Sequence, residues 1–449
     1  MKPSLRKVAG LLLAVFAVSA CSESSRPVAT GKGSIRGINA LVESPEVNFL
    51  IEERSLGGLS YKQGVGFVDY DDLEYTFNFD SFPFNDQPAQ RLASTSIDVV
   101  ADTSYSMVLT GTLANPSIMM WEEPEANFDG TETYFEMDFV HISPQTGEID
   151  LYFATTDTEP ALGNEIATLQ YGDRIPYRQF ESGSYEIIVT APDDPATVLL
   201  KSLTIPATPA SRVTTAIFDV DPTITAPLAV ALINNAGAAT TLADARYPSQ
   251  LRFLHAAFGT QSTDVYYDGD YDNVIFPDIE FGELSAYTDI AAAGATLNLT
   301  AVGDPATPVF EGDVALPANG WGTVLFGGTP DTLGFKTLRD NARPLATFPV
   351  ARITNMAGNF DSIDVYILAP DTPIDDEVVP SIFNAVPGFG TDFLPFLPEP
   401  REITITENRE KTAIAAPLLL DAAAGDIIDI IVLDTADPST LELRVFDSH

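Results

Sequence analysis

The chain has 449 residues, and its 64 Asp plus Glu against 23 Lys plus Arg give a formal charge of −41 at neutral pH. Such a coat has nothing to replace the counterions of a polyphosphate, which excludes nucleic acid as a partner, and it repels anionic lipid. Apolar residues make up 45% of the sequence, enough for real cores, while 1 Cys and 3 His leave neither an intrachain disulfide nor a His/Cys metal site.

Residues 1–20 read as a signal peptide. Lys2, Arg6 and Lys7 precede an apolar run from Val8 to Val18, too short for a spanning helix, which needs roughly 20 residues. Val18-Ser19-Ala20-Cys21 resembles a bacterial lipobox, in which cleavage precedes the Cys and its thiol is lipidated. The alternative is an ordinary signal peptide cut near Ala20, with Cys21 incidental. By resemblance to Gram-negative lipoproteins, Ser22 after Cys21 implies lipid anchoring in the outer membrane. Residues 21–33, small and polar, read as the lipidated Cys and a flexible tether. No later stretch has the length and apolarity of a membrane span.

One pattern then recurs four times, at intervals of roughly 100 residues. An Asn or His (Asn39, His141, His255, Asn355) is followed nine positions later by Asn or Asp (Asn48, Asp150, Asp264, Asp364), within alternating apolar stretches. A second landmark, Tyr171-Gly172, Phe281-Gly282 and Phe389-Gly390, precedes Tyr177, Tyr287 and Phe396; the first unit keeps a loose version around Tyr70 and Tyr75. A third is a turn of small residues before a short apolar strand, at 101, 209, 318 and 423.

These segments alternate with period two and are cut by Gly, Pro, Asp and Asn, the signal of short strands in a sandwich. The expected fold is all-β: four tandem Ig-like antiparallel β-sandwich domains at 34–128, 129–248, 249–347 and 348–449, the last with a Pro- and Phe-rich insertion near 370–400. A row of modules on the tether is the simplest arrangement.

Leu251–Gly269 (L-R-F-L-H-A-A-F-G-T-Q-S-T-D-V-Y-Y-D-G) resembles domain-of-unknown-function family 4397, as do His141–Pro144 and Asp150–Tyr152 in part. The resemblance covers most of residues 34–449. It implies Ig-like sandwiches in bacterial envelope proteins and assigns no catalytic residues.

Candidate chemistry is sparse. Asp268, Asp270 and Asp272 in D-G-D-Y-D-N have the spacing that opens a calcium loop. Asn273 replaces its turn Gly and Ile279 its bidentate Glu, so a plain hairpin turn competes. Asp69, Asp71 and Asp72 form a second acidic cluster. His141 and His255 fit local side chain–backbone bonds beside a turn, and the repeated Asp residues fit turn-fixing roles. The aromatic runs at 77, 266 and 389 suit strand packing, sugar stacking or a docking or capping loop. No G-x-S-x-G, H-E-x-x-H, P-loop or G-x-G-x-x-G is present.

The expected function is therefore a non-enzymatic, lipid-anchored structural or interaction protein of the cell envelope, with a protein or glycan partner and no required cofactor. The alternative is a carbohydrate- or calcium-dependent, adhesin-like binding protein; an envelope hydrolase ranks third.

Overall fold

The computed structural model describes residues 28–82, 88–219, 226–290, 294–328 and 332–448. Regular structure among them is β throughout, in eight sheets that pair into four sandwiches. In the first, one sheet has the order Val68–Asp71, Lys32–Asn39, Thr103–Thr112, Asn115–Pro124. The facing sheet has the order Arg54–Leu59, Val47–Ile51, Glu74–Ser81, Arg91–Asp98. The plan repeats over 134–241, 249–339 and 350–447, with an extra short strand in each sheet of the second sandwich, Ile205–Ala207 and Ala239–Thr241.

The sheets are antiparallel except for one parallel pair per sandwich, which sequence reading did not anticipate. Lys32–Asn39 lies parallel to Thr103–Thr112, Tyr134–His141 to Arg212–Phe218, Ser249–His255 to Trp321–Gly327, and Val350–Asn355 to Ile427–Asp434. Parallel neighbours need a long crossover. Here the strands of the facing sheet supply it.

Alternation along these strands sorts residues to two faces. Ile35 and Leu41 enter the first sandwich's own core, with Phe49, Phe77, Phe79 and Met107. Arg36, Ile38 and Ala40 point the other way. That outward face is not wet: Ile38, Ala40 and Val108 pack against Val140, Ile142, Ala216 and Phe218 of the second sandwich. The third and fourth pair alike, through Leu254, Ala256 and Leu325 against Met356, Ile431 and Leu433. Strands covered on both faces lose the buried–exposed alternation, and Ile427–Asp434 is buried at every position. Gly237 allows the first junction to close. Its φ is +84°, and a Cβ there would lie 2.4 Å from the Val65 carbonyl carbon.

The row of modules is corrected accordingly: two face-to-face pairs form, and the pairs also touch. Arg343, between the third and fourth sandwiches, donates to the carbonyls of Val42 and Ser44, and the Ala346 N–H to that of Glu43 at 3.2 Å. Asn319 of the third sandwich donates to the Tyr247 carbonyl at 2.6 Å. The end of the expected tether joins the first sandwich. Lys32 already begins a strand, and the N–H groups of Thr30 and Gly31 are held by Asp72 at 2.6 and 3.1 Å. The 370–400 segment is only partly an insertion, because Ile382–Ala385 and Leu394–Pro395 are edge strands of the fourth sandwich.

Candidate functional site

The first landmark builds a turn. Asn39 Oδ1 accepts the Leu41 N–H at 2.9 Å, His141 Nδ1 that of Ser143 at 3.3 Å, and Asn355 Oδ1 that of Ala357 at 3.1 Å. Their other polar atoms reach carbonyls: Asn39 to Leu59, His141 Nε2 to Gly147, Asn355 to Ala385. His255 Nε2 likewise meets the Gln261 carbonyl. Burial pushes both imidazoles below their ordinary pKa. Ser143, His141 and Asp219 sit together, but Asp219 accepts from the Ser143 hydroxyl and not from the imidazole, so the wiring of a nucleophilic triad is missing.

The aspartates nine residues on are clamps. Asp264 accepts the N–H groups of Asp278 and Gly303 at 2.8 and 2.9 Å, and Asp364 those of Asn384 and Arg409 at the same distances. Asp150 holds Asp193 N–H at 2.8 Å and the Thr168 hydroxyl. In the first unit Asn48 Oδ1 accepts from the Ser55 hydroxyl.

Structure shifts the second landmark. The glycine that matters donates its N–H to the carbonyl of the landmark Asn or His: Gly172 to His141, Gly282 to His255, and in the fourth unit Gly388 to Asn355, two residues before the expected Gly390. In the first unit Lys62, at φ +68°, makes this bond to Asn39, so the equivalent stretch is Tyr61-Lys62 and not Tyr70 or Tyr75. Five residues past each turn stands an aromatic ring under a guanidinium: Phe67 below Arg36 at 4.6 Å, Tyr177 below Arg212 at 4.3 Å, Tyr287 below Arg252 at 4.8 Å, Phe393 below Arg352 at 4.3 Å. Phe393 thus takes the place expected for Phe396, which packs on the fourth core.

These rings close two buried charge networks, one in each junction. Matching positions of the parallel pairs supply the polar groups: Arg36 beside Ser106, Asp138 beside Thr214, Arg252 beside Thr323, Arg352 beside Asp429. Between sandwiches three and four, Arg352 Nε and Nη2 donate to Asp429 Oδ1 and Asp340 Oδ1, both at 2.6 Å. Arg252 Nη2 crosses the junction to Asp429 Oδ2 at 3.0 Å, and Tyr287 donates to Asp340 Oδ2 at 2.7 Å. Two cations thus face two anions. Between sandwiches one and two, Arg36 crosses to Thr214 Oγ1 at 2.5 Å and donates to Ser106 at 2.7 Å. Arg174 Nε donates to Asp138 at 2.9 Å, and Arg174 also holds Glu123.

Burial outweighs Arg174 and pushes the Glu123 carboxyl up to about 7, from an ordinary value of 4.5, with Asp138 adding to the rise. The folded protein then keeps a proton that the unfolded chain has lost. Stability is therefore expected to fall as pH rises from about 4.5 to about 7 through this group. Urea midpoints at the two ends of that window check it: Glu123→Gln should flatten the decline, and an unchanged decline in the variant would place its origin elsewhere.

The remaining candidate residues are dispersed. Asp268 and Gly269 have φ of +50° and +73°, a hairpin turn. Asp268 accepts the Thr296 N–H at 2.8 Å, while Asp270 accepts from Asp272 N–H and Asn273 Nδ2. Among the described residues no group of three or more His, Cys, Asp or Glu is placed to hold a metal ion, and the stretch from Asp268 to Asp272 is organised as a turn by its own side chain–backbone bonds. Asp72 holds the chain before the first strand, and Asp69 accepts from Ser34 at 2.9 Å. Phe77, Phe79 and Tyr266 are buried in strand packing. Cys21 lies outside the described residues. A cleft of about 710 Å³ lies where all four sandwiches meet, with Tyr61, Asp244, Asn319, Arg343 and Phe393 in its walls.

The sequence profile of a domain of unknown function, DUF4397, matches residues 33–152 and 249–366. Each match runs through one complete sandwich and the first two strands of the next. No curated protein matches the chain. Among solved structures, the product complex of SpuA, a multi-modular glycogen-degrading pneumococcal virulence factor, aligns at 9% identity with a TM-score of 0.15. It covers 62% of this chain and 37% of that one, a likeness too slight to bear on function. The two profile matches together take in more than half of the residues, and the chain belongs to the DUF4397 family.

Proposed function

We propose that the protein is a non-enzymatic structural or interaction protein of the cell envelope, carried on the outer membrane by lipid at Cys21. The observation that carries the reading is the pair of buried junction networks. Arg252, Arg352, Asp340 and Asp429 are the kind of convergent, desolvated groups an active site would use, yet they are spent on fixing one sandwich against another. A body built this way presents surface in a fixed arrangement, and its acidic coat keeps copies apart. Among the described residues no helix is long and apolar enough to cross a membrane, and a lipid on Cys21 would supply the attachment. Acyl chains contribute about 0.8 kcal/mol per buried CH₂, so two or more give stable anchoring.

The test is fractionation of cells expressing Cys21→Ala. The variant should keep its leader uncleaved and lose the mature, lipid-anchored outer-membrane form. A variant that stays membrane-bound and fully processed refutes the anchor.

A further inference from the structure

The fourth sandwich carries an open cleft of about 450 Å³ whose wall includes Tyr366, Val379, Phe383, Asn384, Asn408 and Arg409. Val379 is 78% and Phe383 75% exposed, in a chain whose phenylalanines mostly fill cores. The third sandwich supplies an internal comparison. Val265 pairs with Phe276 there, and Val365 with Ile382 here. Phe383 therefore stands where the third has Pro277, and Asn384 where it has Asp278. The clamp is the same in both: Asp264 holds the N–H groups of Asp278 and Gly303, and Asp364 those of Asn384 and Arg409.

Arg409 thus occupies a glycine's place. Gly303 has φ +73° and Arg409 φ +68°. A side chain in that left-handed region costs about 1 kcal/mol more than glycine. The guanidinium forms no ion pair or hydrogen bond among the described residues, so the fold gains no bond from it. Asn408 Nδ2 donates to Asn384 Oδ1 at 2.9 Å, which orients both amides and leaves Asn384 Nδ2 as a donor and Asn408 Oδ1 as an acceptor at the cleft. Lys411, which also lines the cleft, donates to the Val378 carbonyl at 2.7 Å and to the Tyr366 hydroxyl at 3.2 Å.

We infer that this cleft binds a neutral glycan, with a pyranose C–H face on Phe383 and ring hydroxyls on Asn384, Asn408 and Arg409. The inference rests on the interaction-protein reading above and names the ligand class. Hydroxyls both donate and accept, which matches this mixed set. An anionic glycan would meet the repulsion of a chain whose full sequence carries −41, which Arg409 and Lys411 offset only at the cleft itself. Peptide addition to the edge strand Ile382–Ala385 is disfavoured, because Asn384 at φ +53° interrupts its extended backbone.

The test uses the full chain in detergent, titrated calorimetrically with maltohexaose, cellohexaose, mannohexaose and chitohexaose. At least one should bind. Phe383→Ala should weaken it by about tenfold or more, as loss of a central aromatic anchor does. Arg409→Gly should weaken it several-fold while the melting temperature holds or rises, an outcome a merely structural arginine would not produce. Absence of binding up to roughly 10 mM, affinity indifferent to both substitutions, or capture of a peptide through Phe383 with no sugar bound would each overturn the inference. Loss of the mature outer-membrane form in Cys21→Ala is read separately, so a chain that fractionates as proposed but binds no sugar loses this inference alone.

Discussion

Asp429→Ala is expected to destabilise the third and fourth sandwiches by about 3–5 kcal/mol, the range found when one member of a buried ion pair is removed. Asp429 accepts from Arg352 of its own sandwich and from Arg252 across the junction, and Ser448 also donates to it. Without it, two buried guanidiniums share Asp340 alone. Loss of the pair's Coulomb energy is the smaller part of the effect; the uncompensated burial of a cation dominates. Replacing Arg252, Arg352, Asp340 and Asp429 together by apolar residues of similar volume should therefore cost much less than the single change. Urea unfolding measures both. A loss below about 1 kcal/mol in Asp429→Ala would mean that the network does not hold the junction.

The second large effect comes from dividing the chain. Residues 28–246 alone should fold cooperatively as a monomer, and so should residues 249–449. Residues 28–127 alone should not. That fragment would expose Ile38, Ala40 and Val108 together with Arg36, whose guanidinium would lose its bond to Thr214 across the junction. Each large side chain uncovered forfeits roughly 1.5–3 kcal/mol. Self-association or non-cooperative melting is expected, read by sedimentation and circular dichroism. A monomeric, cooperatively melting 28–127 would show that one sandwich, and not the pair, is the folding unit.

Much of this was legible in the sequence, for physical reasons. Period-two alternation and turn residues announce strands locally, and the Asn/His and Asp landmarks recur because each builds a turn that every sandwich needs. His141 and Asp264 illustrate it: their types and spacing point to a side chain–backbone bond beside a turn and to a turn-fixing carboxylate, and the structure supplies the partners. Arg36, Asp138, Arg252 and Arg352 illustrate the opposite. A charge between apolar residues on a strand reads as a solvated position, while the partners of Arg36 and Arg252 lie 178 and 177 residues away on another sandwich, beyond any local pattern. The displaced landmark has a similar origin. Phe389-Gly390 repeats the Phe-Gly of the third unit in letters, while the carbonyl of Asn355 selects Gly388. Phe383 escaped notice because its distinction is exposure, which no periodicity records.

The pairing of outward faces also sets a rule for how such a chain can lengthen. A fifth sandwich would arrive with half a polar network and an apolar face and find every matching surface taken. It would be sticky until joined by a sixth. Growth of such a chain is then expected in steps of two, and the profile matches at 33–152 and 249–366, each ending two strands into a partner sandwich, recur with the period of a pair.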